Sequence, residues 1–279
     1  MATNVEVIET PETVTQVERC PNCESELIGH YCQSCGQKKI HRHEFAIRHF
    51  FGHLIHELTH LDSNKILKTF FALLFKPGLL TSEYLAGRKA SYINPIRIYL
   101  TFSAIYFLFA WGILGDIRGG GAARTARSPA TIAMARQRGV DPRVLADKIY
   151  QKTEKYAAIL RFASVMVSGL FLSVFYLGLR KYYVEHLIFS LHYYSFDFLC
   201  KSFFALLFLS MAAVGIKLPG RVLDLFYSVA FVYLVFALKR VYQESWLKTG
   251  LKSTILFACE VALFIAVNVA GFFIAFVLV

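Results

Sequence analysis

The sequence predicts an all-α, multi-pass membrane protein with about five transmembrane helices and a small N-terminal zinc ribbon. Three observations support this prediction: 56% of the residues are hydrophobic and only 18% are charged, the apolar residues form long runs, and four cysteines form two Cys-x-x-Cys pairs. Soluble domains are nearer to a quarter charged, and apolar helices of ~17–25 residues are long enough to cross a bilayer. The net charge of +11 flanks the apolar runs, which favours membrane lipids and not nucleic acid as the partner.

Residues 1–19 are predicted to be a disordered acidic tail. They contain four glutamates and no apolar stretch of the kind that a secretory signal peptide requires. A segment with so few hydrophobic residues cannot bury enough surface to fold on its own.

Residues 20–40 are predicted to form the zinc ribbon. Cys20 and Cys23 make the first pair, and Cys32 and Cys35 follow after eight intervening residues. Four thiolates suit tetrahedral zinc, and Gly36 permits the tight turn after the second pair. Two disulfides and a redox-active pair are the alternatives, but paired knuckles at this spacing favour zinc.

Residues 41–95 are predicted to form amphipathic helices at the membrane surface, over 48–61 and 65–75. The apolar face of the second helix is too short to cross a bilayer, which favours an in-plane or re-entrant position. Arg88, Lys89 and Arg97 follow it and are expected to contact lipid headgroups.

A histidine stripe in the first of these helices is a candidate second metal site or proton site. His49, His53, His56 and His60 are spaced by four, three and four residues, so they share one helical face. His56-Glu57-x-x-His60 also matches the HExxH motif of zinc metalloproteases. No recognisable third ligand follows, so an amphipathic surface helix is the favoured interpretation.

Residues 96–279 are predicted to be the transmembrane region, with spans at 98–115, 158–179, 198–216, 222–238 and 254–279. A basic loop at 116–155 separates the first two spans, and Asp141-Pro142 is a good helix start within it. Reduced cysteines and the basic residues before the first span predict a cytoplasmic N-terminus.

Ionisable residues near or within the later spans form a candidate intramembrane polar site, because charged groups at membrane depth normally mark function. These residues are Glu260, His192, Asp197 and Lys201. Glu260 is expected to find a partner among His192, Lys201 and His186. A structural hydrogen bond between helices is the alternative for Glu260, and an interfacial position is favoured for Glu185, His186 and Lys201.

Several of these motifs together resemble an uncharacterised bacterial membrane protein family, domain of unknown function 3667. The resemblance rests on the ribbon, on the stretch from Lys76-Pro77-Gly78 to Pro95, and on two later segments, residues 185–192 and 239–242. It implies a multi-pass membrane protein with a cytoplasmic zinc ribbon and no established activity. It does not require an HExxH motif.

The sequence therefore favours a non-enzymatic scaffold, assembly or regulatory factor of the bacterial inner membrane that binds a protein partner through its ribbon. Two alternatives remain open. One is a small-solute or proton transporter or channel that uses Glu260, and the other is a membrane metalloprotease that uses Glu57.

Overall fold

The structure is a computed structural model that describes residues 18–27, 29–37, 39, 63–112, 123, 125–179, 181–215 and 221–279. This part of the chain is mainly helical, and Arg19 and Glu26 form an isolated antiparallel bridge in the N-terminal segment. The helices are α1 (Ser63–Phe75), α2 (Leu79–Leu85), α3 (Pro95–Gly112), α4 (Pro129–Arg138), α5 (Pro142–Phe175), α6 (Tyr183–Ala213), α7 (Arg221–Tyr242) and α8 (Trp246–Leu278).

Four of these helices are long and apolar enough to cross a membrane. Their candidate spans are Pro142–Phe175, Tyr183–Met211, Leu225–Tyr242 and Trp246–Leu278. The region predicted as the first span, 98–115, corresponds to α3, whose apolar stretch Pro95–Leu108 is shorter. The all-α, multi-pass membrane architecture is confirmed, with four full-length candidate spans and one shorter apolar helix.

The third predicted span begins well after the start of the helix that contains it. It was predicted to begin at residue 198, whereas α6 begins at Tyr183. The first turns of α6 carry Glu185, His186 and His192, which lower the local hydropathy and hide the helix from a search for apolar runs. In the structure both histidines are buried and hydrogen-bonded, at 2% and 4% exposure, so this stretch belongs inside the bundle.

Helix α5 starts where the Asp141-Pro142 pair predicts. The Asp141 carboxylate accepts a hydrogen bond of 2.7 Å from the amide of Arg143, and the helix continues for 34 residues. At ~1.5 Å per residue it is about 51 Å long, against ~30 Å for the hydrocarbon core. Its N-terminal turns therefore extend beyond the hydrocarbon.

Helix α4 lies inside the predicted basic loop and was not foreseen. Its weak apolar periodicity gave no signal, although Pro129 at its start and Gly139 just after its end are typical boundary residues. Ala135 of α4 packs with Ile149 of α5 and Ala275 of α8 in one buried cluster. The loop therefore contributes a helix that covers one end of the α5–α8 pair.

Helices α5 and α8 pack closely because small side chains face each other. A Cβ atom built on Gly271 would lie 3.1 Å from the amide nitrogen and 3.2 Å from the Cβ of Ala157. Both Ala157 and Ala275 are fully buried. Small residues of this kind allow membrane helices to approach at backbone distance.

Helix α1 presents opposite faces to two environments. Leu67, Phe71 and Phe75 form an exposed apolar ridge at four-residue spacing, which suits contact with lipid. Thr69 and Leu73 on the other face are buried. The helix predicted at 48–61, with its histidine stripe, lies outside the described residues. Residues 1–17 of the predicted tail also lie outside them, and only residues 18 and 19 of that tail are described.

The turn between α1 and α2 fixes both helices to the bundle. Gly78 has a φ of 73°, and a Cβ atom at this position would lie 2.7 Å from the carbonyl oxygen of Ala237 in α7. Arg240 of α7 donates a hydrogen bond of 2.8 Å to the carbonyl oxygen of Pro77. The short helices therefore rest directly on the backbone of α7.

Candidate functional site

Four cysteine thiols converge in the N-terminal segment. The Sγ atoms of Cys20, Cys23, Cys32 and Cys35 all lie within 4.8 Å of one another, and all four cysteines are free. Cys20 and Cys35 Sγ are 3.7 Å apart, and Cys23 and Cys32 Sγ are 3.5 Å apart. Tetrahedral coordination with metal–sulfur bonds of ~2.3 Å separates the sulfurs by ~3.8 Å. These thiols can therefore hold one metal ion.

The two cysteine pairs are built by the same local fold. In each pair, the amide of the first cysteine donates to the carbonyl oxygen five residues later. The carbonyl oxygen of the same cysteine accepts from the amide four residues later. The four bonds, each 2.8 Å long, run from Cys20 N to Ser25 O, from Glu24 N to Cys20 O, from Cys32 N to Gln37 O and from Gly36 N to Cys32 O. Glu24 and Gly36 both have positive φ, at 62° and 70°. The turn is thus repeated, and each copy directs its two thiols to a common centre.

The thiols differ in how readily they lose a proton. Hydrogen bonding to the side chain and backbone of Ser25 lowers the pKa of Cys23 to about 6. Desolvation raises the pKa of Cys35 to about 11. Cys23 is therefore the more readily deprotonated of these two thiols, and Cys35 the less readily deprotonated. A metal ion must displace the proton of Cys35, so metal affinity increases with pH.

Gln37 joins this centre to the loop that follows α2. Its side chain is 5% exposed, and its amide nitrogen donates a hydrogen bond of 2.7 Å to the carbonyl oxygen of Gly87. The side-chain oxygen of Gln37, Oε1, accepts hydrogen bonds from the backbone amides of Lys89 and Ala90, at 3.2 and 3.1 Å. One side chain thus satisfies three backbone groups of the loop.

A second contact comes from the first cysteine pair. The hydroxyl of Ser91 donates a hydrogen bond of 2.8 Å to the side-chain oxygen of Asn22, which lies between Cys20 and Cys23. Both halves of the cysteine cluster therefore contact residues 87–91. This loop separates α2 from α3, so the ribbon is attached directly to the helices that pack against the candidate spans.

The basic residues predicted to contact headgroups lie at this junction. Arg88 forms a two-pronged ion pair with Glu83, at 2.5 and 2.6 Å, and this interaction lowers the pKa of Glu83. Lys89 lies 4.8 Å from the ring centre of Tyr84, and Arg97 lies in the first turn of α3. Arg88 therefore helps to shape the loop, and headgroup contact by these three residues stays a prediction.

We expect Gln37→Ala to detach the ribbon from this loop while leaving the four cysteines in place. The change removes the acceptor of two backbone amides and the donor to Gly87, which should destabilise the junction by about 1–3 kcal/mol. Faster hydrogen exchange at residues 87–91, with bound metal retained, would show this. Gln33→Ala, an exposed position in the same ribbon, is the matched control, and equal exchange in the two variants would contradict the assignment.

The predicted intramembrane histidines belong to two separate contacts. His192 Nδ1 lies 3.0 Å from the hydroxyl of Thr81 in α2, and His186 Nδ1 lies 2.7 Å from the hydroxyl of Tyr242 in α7. His186 also stacks on Tyr242, which stacks on Tyr176 at 3.7 Å between ring centres. His186 is 2% exposed and lies in the first turn of α6, and its interfacial position stays a prediction. Both histidines connect helices, and neither contacts Glu260.

Glu260, Asp197 and Lys201 do come together, around a cavity of about 80 Å³ between α5, α6, α7 and α8. Lys201 Nζ donates a hydrogen bond of 2.5 Å to Asp197. Glu260 accepts a hydrogen bond of 2.6 Å from the hydroxyl of Tyr194. Tyr194 was not among the partners considered for Glu260, because an uncharged tyrosine gives no signal in an apolar run.

Arg161 is the residue of this site that sequence reasoning missed. It lines the same cavity and is only 8% exposed. Its Nη2 donates a hydrogen bond of 2.9 Å to Asn268 of α8, and its guanidinium lies 5.4 Å from the ring centre of Phe264. The signal was present, since Arg161 is a lone cation inside the predicted span 158–179, and such residues normally face a bundle interior.

The HExxH motif and the histidine stripe cannot be placed, because residues 41–62 lie outside the described residues. Among the residues that are described, the four cysteines form the cluster with metal-ligand geometry. All four of its donors come from the protein, and such closed sites are typically structural, whereas catalytic sites keep one coordination position open.

Comparison with known proteins gives one match. Residues 63–107 match the family model described as "Protein of unknown function (DUF3667)". The resemblance predicted from the sequence is confirmed over this segment, which comprises α1, α2 and most of α3. No curated protein and no solved structure matches the chain.

Proposed function

We propose that this chain, which carries a DUF3667 segment at residues 63–107, is a scaffold or assembly factor of the bacterial inner membrane. In this proposal the cysteine cluster binds zinc, and the resulting ribbon holds a protein partner at the cytoplasmic surface. The observation that carries it is the attachment of the ribbon to the DUF3667 segment through Gln37. A partner bound to the ribbon would thereby be held at a fixed place on the membrane.

Zinc is the metal that this donor set favours. Four thiolates in tetrahedral arrangement are typical of structural zinc sites, whereas magnesium and calcium require oxygen donors. The ribbon consists of two short cysteine turns with few buried apolar side chains. Bound metal would therefore supply most of its folding free energy. A closed site with no open coordination position supports a binding role over a catalytic one.

The connection from ribbon to bundle is continuous. Gln37 holds the loop after α2, Thr81 of α2 contacts His192 of α6, and Pro77 accepts a hydrogen bond from Arg240 of α7. On the ribbon itself Tyr31 is 60% exposed. Exposed tyrosines are common anchors of protein–protein contacts, so Tyr31 is the best candidate for the partner-binding surface.

The basic residues support a cytoplasmic ribbon. Helix α6 begins and α7 ends at the end of the bundle where α2 docks, and Lys181, Lys239 and Arg240 lie there. Short basic segments next to membrane spans remain in the cytoplasm. The reduced thiols that a metal centre requires are also typical of that compartment.

Partner binding should depend on Tyr31 and on the metal centre. With crosslinking in native membranes, we expect the same captured protein to be lost from both Tyr31→Ala and Cys32→Ser, while Tyr31→Ala still carries metal. Tyr182→Ala is the matched control, because Tyr182 is 62% exposed but lies on the bundle. Identical captured proteins in all four samples, including the unaltered chain, would contradict the proposal.

A second candidate function is passage of a small solute through the bundle. One observation favours it: the cavity between α5, α6, α7 and α8 is lined by the charged residues Arg161, Asp197, Lys201 and Glu260. Ionisable groups that face a cavity within membrane-spanning helices often mark solute or proton pathways.

A further inference from the structure

We propose that the cavity between α5, α6, α7 and α8 binds a small zwitterion, with Arg161 receiving its carboxylate and Glu260 its ammonium group. This inference names a ligand for the second candidate function. It rests on that function only in the claim that the ligand is transported. Binding can be measured whether or not the ligand crosses the membrane.

The first argument is a pair of buried polar atoms without partners. Arg161 Nε and Glu260 Oε1 are both buried without a hydrogen-bond partner, and both residues line the cavity. Arg161 donates another hydrogen bond to Asn268, and Glu260 accepts one from Tyr194 and also lies beside the hydroxyl of Ser168. Buried polar groups are otherwise almost always satisfied. A donor and an acceptor are therefore left for a ligand.

The second argument is that neither of these two ionisable groups forms an ion pair with another described residue. Asp197 and Lys201 pair with each other, whereas Arg161 and Glu260 are bonded to the uncharged side chains of Asn268 and Tyr194. A lone buried charge is strongly unfavourable unless it is compensated. A ligand with one negative and one positive end would compensate both at once.

The charge balance of the cavity favours a ligand without net charge. Its lining includes two cations, Arg161 and Lys201, and two acids, Asp197 and Glu260. When all four groups are ionised, a single bound anion or cation would leave a net charge at membrane depth, which is energetically costly. A zwitterion adds no net charge and uses both unpaired groups.

The size of the cavity limits the ligand to a few heavy atoms. Its volume is about 80 Å³, which is room for about three water molecules at ~30 Å³ each. Glycine has five heavy atoms and is the smallest amino-acid zwitterion. The aromatic rings of Phe198, Phe226 and Phe264 form part of the wall and would exclude bulk water from the charged contacts.

The test is the binding of glycine to the purified full-length chain in detergent, measured by calorimetry. Acetate and methylammonium each present one half of the zwitterion, and we expect each to bind at least about tenfold more weakly than glycine. Arg161→Lys and Glu260→Gln should each weaken glycine binding at least about tenfold, because lysine lacks the Nε donor and planar fork of arginine, and glutamine lacks the negative charge of the carboxylate. Glu185→Gln makes the same chemical change outside the cavity and should leave binding unaltered.

Several results would overturn the proposal. They are the absence of saturable glycine binding at about 10 mM, equal binding of acetate or methylammonium, or unchanged affinity in Arg161→Lys and Glu260→Gln. The selectivity of the unaltered chain decides the matter even if these variants fail to fold. Glycine uptake by proteoliposomes tests transport separately, since binding without uptake would contradict the second candidate function and leave the binding site intact.

Discussion

Cys32→Ser should leave the purified chain with almost no bound zinc, whereas the unaltered chain should carry about one ion. The sulfur of Cys32 lies 3.5 Å from that of Cys23 and belongs to the four-thiol cluster. Structural zinc sites in small domains contribute about 10–16 kcal/mol of apparent binding free energy, and loss of a thiolate removes a large part of it. Elemental analysis after gel filtration in the presence of a mild chelator would measure the metal content.

Cys200→Ser provides the control for this experiment. Cys200 is a free cysteine in α6, outside the cluster, and its replacement should leave one zinc ion bound. An unaltered chain without zinc would refute the metal centre. Two ions per chain would show a second metal site, for which the histidine stripe at His49, His53, His56 and His60 is the candidate.

Gly78→Ala should destabilise the membrane domain by about 2–4 kcal/mol. The left-handed backbone at this position, with a φ of 73°, costs an alanine about 1–2 kcal/mol. The added Cβ would also lie 2.7 Å from the carbonyl oxygen of Ala237 and 3.0 Å from its Cα. These are backbone atoms of a packed helix and cannot rotate away, so α2 would have to move. The midpoint of thermal unfolding in detergent would report the loss.

Gly139→Ala separates the conformational cost of the left-handed backbone from the steric contact with α7. Gly139 has a similar φ of 65°, but a Cβ atom there would meet no atom within 4 Å. It should therefore show only the conformational part of the effect, about 1–2 kcal/mol. Equal destabilisation by the two substitutions would show that the close approach of Gly78 to α7 is unimportant.

The features that sequence reasoning predicted are those determined by local spacing. The cysteine pairs define their own turns, so Cys20, Cys23, Cys32 and Cys35 could be grouped from sequence separation alone. The start of α5 was also predictable, because the carboxylate of Asp141 caps its own helix. Hydropathy located the spans wherever the apolar run was uninterrupted.

The features that it did not predict depend on how helices are rotated against one another. Polar side chains concealed the start of α6, and only the three-dimensional structure shows that His192 meets Thr81, 111 residues earlier. The same applies to Glu260, which meets Tyr194 from another helix. Hydropathy gives the length of a membrane helix, but the side chains of its neighbours decide which face turns inward.

The contact between the α1–α2 turn and α7 has a consequence for biogenesis. Pro77 and Arg240 are 163 residues apart in the chain, and ribosomes add ~5–20 residues per second. The nascent DUF3667 segment must therefore wait on the order of 10–30 s for its partner helix to be synthesised. Throughout that interval the face that carries Gly78 has no α7 to pack against.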